Sequence, residues 1–249
     1  MTSPAADPAA DPAADAAALK ESTDRLLAAV EKLDDAALAE PSRLPGWTRG
    51  HVLAHLSRNA DALTNVLAGR PMYPSAEARD ADIERGAPRP LAVQLEDLRT
   101  SAARLDRAMA ALTGERWRAT VELRNGVTDL ASSVPFRRRI EVELHHVDLG
   151  IGYGLGDMPA DFTERELENM ARRFSGNPKV RPLELRAGDG RALRTGRTAG
   201  AGQDGPEGAA EEAVVVSGTA TALVGWLTGR TDGAGLTASV PVLPPLPPL

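Results

Sequence analysis

From residue 17 to residue 150 the apolar residues recur at intervals of three and four, in runs cut by proline and glycine, and after Gly150 that rhythm stops. A period near 3.6 commits this part of the chain to helices that each carry one apolar stripe, and such stripes are stable only when buried against one another. Leu19, Leu26, Leu27, Val30 and Leu33 predict a first helix from Ala17 to about Ala39. In "LPGWTRGH" a Pro-Gly break precedes Thr48, a good N-cap, and the second helix runs from there to Ala68, closed by Gly69 and Pro71. A third helix is expected from Leu91 to Leu112, and a fourth from the Ser133-Val134-Pro135 start to Gly150. Short turn-rich connections between such helices predict an antiparallel bundle, interrupted between Arg118 and Leu130 by a small hairpin around "RNG".

Beyond Gly150, "RPLELRAGDGRALRTG" reads as two short strands around a Gly-Asp-Gly turn, "AEEAVVVSG" as a third β-rich run and "TATALVGWLTGR" as a short helix. A glycine-rich loop is expected from Gly196 to Gly208, and the closing "PVLPPLPPL" is held extended by its prolines and reads as a docked tail. The first stretch repeats Ala-Ala-Asp-Pro without a bulky apolar residue and reads as a disordered extension. The chain therefore divides into an extension at 1–16, a four-helix bundle at 17–155 and a small α+β domain at 156–249, an α+β two-domain protein.

Bulk properties remove several function classes. A length of 249 residues allows one large domain or two modest ones, and the net charge of -6 leaves no basic excess to neutralise a phosphate backbone. No apolar run approaches the roughly 20 residues of a membrane span and no signal pattern opens the chain, so a cytoplasmic location is expected. Cysteine is absent, which excludes disulfides, thiolate metal sites and a thiol nucleophile of the protein's own. Any thiol chemistry must use a thiol brought from outside.

In "RRRIEVELHHVDLG" the residues Glu141, His145 and Asp148 form one stripe, beside the apolar stripe of Ile140, Leu144, Val147 and Ile151. Glutamate and histidine four residues apart can ligate one metal ion from a single helix, although an ordinary Glu-His surface pair has the same spacing. His55 stands at the edge of the apolar stripe of the second helix, formed by Val52, Leu56, Leu63 and Val66. It is either a satisfied core histidine or, if the two helices face each other, the third ligand of a site with an open fourth position. His51 is turned further toward solvent, and His146 stands next to His145, so both are alternative ligands. Asp148 either orients His145 or a bound water, or faces solvent at the helix end. Tyr73 lines the pocket or simply packs, and Trp47 and Trp226 read as packing residues.

Together, "GWTRGHVLAHLSRNADAL", "RPMYPSAEARDADIERGA", "EVELHHVDLG" and "VVVSGTATALVGWLTGR" resemble the mycothiol-dependent maleylpyruvate isomerase family. The resemblance extends from about Leu44 to Arg230. It implies a DinB-like metal-binding four-helix bundle followed by a small, sterol-carrier-like α+β domain. It places the family's metal ligands on His55, Glu141 and His145, and its catalytic arginine on Arg230, otherwise a plain cation at a helix terminus. The implied cofactors are Zn2+, or another divalent metal accepting nitrogen and oxygen donors, and mycothiol as thiol cosubstrate. Tyr73 and Asp148 would line its cofactor pocket.

The implied reaction is cis-trans isomerisation of maleylpyruvate to fumarylpyruvate, within gentisate breakdown. Metal coordination favours the thiolate, which adds to the double bond, allows rotation and is eliminated. Arg230 would stabilise developing charge or hold a carboxylate. The expected partners are the small-molecule substrate and mycothiol, with no nucleic acid or membrane. Two other readings keep the metal. One is a mycothiol S-transferase that leaves a stable thioether, and the other is a non-catalytic metal or small-molecule binding module.

Overall fold

In the computed structural model, which describes residues 11–197 and 211–248, the first helix begins before its apolar stripe. The Asp11 carboxylate accepts hydrogen bonds from the Ala13 and Ala14 amides at 3.0 and 3.2 Å, and Pro12 occupies the first helical position. The expectation of disorder through residue 16 is corrected for residues 11–16: one Asp-Pro unit of the repeat is a helix start. Residues 1–10 lie outside the described range. Helix α1 spans Pro12–Val30 and stops well before Ala39, because Asp34 caps a separate short helix, α2 (Asp35–Ala39), through the Ala37 amide at 2.8 Å.

Thr48 caps α3 (Arg49–Leu67) as expected. The chain then forms α4 (Ala76–Gly86), capped by Ser75, which the weak apolar content of "AEARDADIERG" concealed. Helix α5 spans Leu91–Ala110 and α6 is a single turn at Gly114–Trp117. The expected hairpin pairs β1 (Thr120–Glu122) with β2 (Thr128–Leu130), and Asn125 accepts the left-handed conformation the turn requires, at φ 60°. Helix α7 is Val134–Asp148.

The long helices α1, α3, α5 and α7 close a ring in which α3 packs on α5 and α7, and α1 on the same two. Their directions correct the simple antiparallel expectation. Arg58 pairs with Asp97 and Asp61 with Arg104, so residue numbers rise together along α3 and α5, which run parallel. The connection between them carries α4 and is long enough to return the chain to its starting end. Glu31 with Arg99, and Lys20 beside Asp106, set α1 antiparallel to α5. The core is built around Val52, Leu53 and Leu56 of α3, all without exposed surface, with Leu26 and Val30 of α1, Leu98 and Leu105 of α5 and Val142 of α7.

Contacts divide the chain into Met1–Tyr153 and Gly154–Leu249. The second unit opens with α8 (Ala160–Phe174), which buries a stripe of Phe162, Leu167, Met170 and Phe174 and was not among the helices expected from the sequence. It continues with β3 (Leu183–Ala187), β4 (Ala192–Thr195), β5 (Val214–Gly218), α9 (Ala220–Leu227) and β6 (Thr237–Ala238). The sheet order is β4-β3-β5-β6, with β3 and β5 parallel and the other pairings antiparallel. Helix α8 packs on α9 and β4, and α9 also on β3 and β5, so an α+β arrangement follows. Much of the predicted glycine-rich loop, residues 198–210, lies outside the described residues. The terminal proline-rich segment forms neither helix nor strand, and Pro244 within it is buried. No helix of the described residues is long and apolar enough to cross a membrane.

Leu56 has no exposed surface and sits mid-helix in α3. Leu56→Ala is expected to lower stability by about 2–5 kcal/mol, read as a shift in the urea midpoint with the slope unchanged.

Candidate metal centre

The Thr48 cap sets the rotation of α3. His51, three residues on, completes the cap: its backbone amide meets Thr48 Oγ1, and its Nδ1 accepts from the Thr48 amide at 3.2 Å. One turn later His55 points into the bundle with 7% of its side chain exposed, against Trp47 at 5.6 Å between ring centroids. Opposite it, α7 presents Glu141 and His145. His55 Nε2 lies 3.0 Å and His145 Nε2 3.2 Å from the same oxygen, Glu141 Oε2, and the two imidazoles meet edge to face at 4.7 Å.

Among the described residues this is the group of three whose donor atoms could hold a metal ion, all lying within 4.8 Å of one another. The spacing fits such an ion. Ligands about 2.0–2.1 Å from a tetrahedral centre lie roughly 3.3–3.4 Å apart, close to the two distances seen. The chemistry fits as well, since two imidazoles and one carboxylate are a donor set suited to zinc and neighbouring divalent metals. Glu141 retains 34% exposure, so the group opens toward solvent on the carboxylate side.

Surrounding groups fix each ligand. Asp148 is 1% exposed, and its Oδ2 takes the Nδ1 proton of His145 at 2.8 Å, which directs Nε2 inward. Asp148 thus faces the interior and His145 rather than solvent. Arg79, from α4, places Nη2 3.2 Å from His55 Nδ1. A guanidinium only donates, so this contact selects the His55 tautomer with hydrogen on Nε2, and loading the site would move that hydrogen to Nδ1 and displace Arg79. Arg79 also lies 5.9 Å from the centre of the Tyr73 ring. Tyr73 lines a cleft of about 550 Å³ together with Val66, Met72 and the β1–β2 turn.

The electrostatics follow from burial opposed by pairing. Burial alone would push the Glu141 carboxyl up, but hydrogen bonds from His145 and His55 outweigh it and hold the group well below the usual carboxylate range. Burial works against charge on His145 too, yet Asp148 and Glu141 overcome it and raise its pKa. At His55 desolvation dominates and lowers the pKa.

The two alternative histidines are otherwise engaged. His51 closes the cap of α3 and approaches Glu84, and His146 is buried in a face-to-face stack on Tyr153 at 3.9 Å. Arg230 belongs to the second unit, following Gly229 at the end of α9, with Nη1 donating to the Thr228 carbonyl at 2.9 Å. Three residues near the triad escaped the sequence reading: Arg79, Asn59 and Arg138. Helical spacing could have found the last two, since Asn59 follows His55 by four positions and Arg138 precedes Glu141 by three.

Residues 4–150 match the family described as the mycothiol maleylpyruvate isomerase N-terminal domain, and residues 157–248 match the MDMPI C-terminal domain. Two solved structures are similar over nearly the whole chain. One is a crystal structure of the mycothiol-dependent maleylpyruvate isomerase, with 28% identity, a TM-score of 0.84 and coverage of 96% of this chain and 97% of that one. The other is a histidine-to-alanine mutant of a mycothiol-dependent maleylpyruvate isomerase, with 27% identity, a TM-score of 0.83 and the same coverages. No curated protein matches the chain.

Two outcomes are expected of metal binding. Asp148→Asn should weaken zinc affinity by about 10- to 100-fold in competition with a chromophoric chelator. Because a metal takes the Nε2 lone pair of His145, affinity should fall as pH drops through that residue's raised pKa and level off above it, with proton release on binding measured by calorimetry in buffers of different ionisation enthalpy.

Proposed function

The chain belongs to the mycothiol-dependent maleylpyruvate isomerase family, and on that premise we propose that it converts maleylpyruvate to fumarylpyruvate with mycothiol as the thiol cosubstrate. The observation that carries this reading is the convergence of His55, Glu141 and His145 on one point inside a chain that matches the family in both its domains. A divalent metal held by these three side chains, zinc by the donor set, would lower the pKa of a thiol bound at its open position.

The overall reaction needs no net oxidation. The thiolate sulfur forms a bond to one carbon of the cis double bond while the π electrons move into the conjugated carbonyl, rotation follows about the resulting single bond, and those electrons return as the carbon–sulfur bond breaks, releasing the thiolate and the trans alkene. The protein's own groups divide the work by position. Asp148 keeps His145 in one tautomer and orientation, and Glu141 forms the side of the group open to solvent. Arg79 and Tyr73 lie beside the triad, with Tyr73 lining a cleft of a size suited to a small-molecule ligand. Arg230 is assigned as the catalytic cation that steadies charge on the substrate oxygens, on the strength of the family resemblance. The reaction is placed in the cytoplasm, where reducing conditions keep such a thiol free, in a route that degrades gentisate.

The test follows fumarylpyruvate formation by the zinc-loaded protein with and without mycothiol. Turnover should require the thiol, fall to background in His55→Ala and drop strongly in Arg230→Ala with zinc stoichiometry retained. A stable thioether in place of regenerated thiol would reassign the protein as an S-transferase, and zinc binding without turnover on either chemistry would leave it a binding module.

A further inference from the structure

Arg138 stands one helical turn before Glu141 with a charge that has no ion-pair partner among the described residues. It is 2% exposed, Nη1 donates to Asn59 Oδ1 at 2.8 Å, and Nη2 is buried without a hydrogen-bond partner among the described residues. Other arginines of the bundle are paired: Arg58 with Asp97, Arg104 with Asp61, Arg137 with Asp129 and Arg25 with Glu143. Glu141, Asp106, Asp61 and the Tyr73 phenol all act on Arg138 through space, yet none of them takes its hydrogens. Burial brings its pKa down to about 10, which leaves it cationic at neutral pH. Desolvating a cation without a direct counter-ion is costly, and a packed apolar residue of the same volume would do better for stability alone.

The position is specific. The His55–Glu141 contact and the Asn59–Arg138 hydrogen bond are successive rungs between antiparallel α3 and α7: Asn59 is one turn past His55, and Arg138 one turn before Glu141. The guanidinium is thus held within one helical turn of the proposed chemistry. Glu141, the triad residue one turn along α7 from Arg138, is the one that keeps 34% exposure, so the guanidinium lies on the helix that carries the solvent-facing side of the group.

We propose that Arg138 is a specificity-determining residue that binds a carboxylate of the substrate through its unpaired Nη2, with Asn59 as the positioning residue that holds the guanidinium. The proposal rests on the isomerase reading, whose substrate carries two carboxylates. An arginine held by one amide and lacking a hydrogen-bond partner on its other nitrogen is suited to this task, since it meets a carboxylate in a plane and becomes neutralised on binding.

The test compares Arg138→Met and Arg138→Lys with the wild type in the zinc-loaded protein. Removing one charge-assisted contact should raise KM for maleylpyruvate by about 10- to 100-fold. KM for mycothiol should not change, and the melting temperature of Arg138→Met should be equal to or above that of the wild type. Maleate binding, measured by calorimetry without thiol, should weaken in parallel, with Arg138→Lys retaining part of it. An unchanged KM for maleylpyruvate, or a rise in both KM values together, would overturn the proposal. If Arg138→Met does not fold, Arg138→Lys decides: weakened maleate binding at unchanged stability supports the site, and unchanged binding refutes it. Absence of turnover in the wild type would instead count against the isomerase reading, and maleate binding lost on mutation would still establish the carboxylate site.

Discussion

Two imidazoles donating toward one carboxylate oxygen is the interaction around which the bundle is arranged. Glu141 Oε2 receives His55 from α3 and His145 from α7, and each contact keeps polar atoms satisfied in a region where leaving them bare is costly. Such a rung works only if α3 and α7 lie side by side at fixed rotation. The Thr48 cap sets the rotation of α3, and the apolar stripe of α7, with Val142 and Val147 each 1% exposed, sets that of α7. The rung is at once a polar plug in the core and a group of donor atoms that could hold a metal ion, because the distances that satisfy the hydrogen bonds are nearly those such an ion requires.

The route of the chain serves the same rung. Helices α3 and α5 run parallel, so the segment between them must travel the length of the bundle, and that segment carries Tyr73 and the α4 residue Arg79. The connection that sets the topology therefore also supplies Arg79, which meets His55. An up-and-down bundle with a short turn at this place would have no residue to put there.

Helix α7 shows how much charge a bundle tolerates once every group has a task. Arg138, Arg139, Glu143, His146 and Asp148 are all buried on a helix of fifteen residues. Glu143 accepts from Ser22 Oγ at 2.5 Å, Arg25 at 2.7 Å and the Tyr153 hydroxyl at 2.6 Å, tying α7 to α1. Asp148 is held by His145. Against this background the bare nitrogen of Arg138 is informative, since its neighbours show that the fold supplies counter-ions where charge is purely structural.

The sequence by itself determined the elements with strong apolar periods or clear caps: α3 from Thr48, α5, α7 from its Ser-Val-Pro start, the β1–β2 turn and the strands around Gly-Asp-Gly. It also carried the three candidate metal ligands, because spacing of four on a helix is a local property and the resemblance named the same residues. It did not show α4, whose stripe is diluted by charge, nor the start of α1 at Pro12, where capping rather than apolar content decides. Only the tertiary structure decided that α3 and α5 are parallel, that Asp148 turns inward to His145, that His51 belongs to a cap, and that Asn59 holds Arg138 beside Glu141. The physical reason is common to all four. Periodicity reports which face of a helix is apolar, whereas a buried polar group is placed by its partner, and that partner lies on another helix or in a turn geometry that no stripe records.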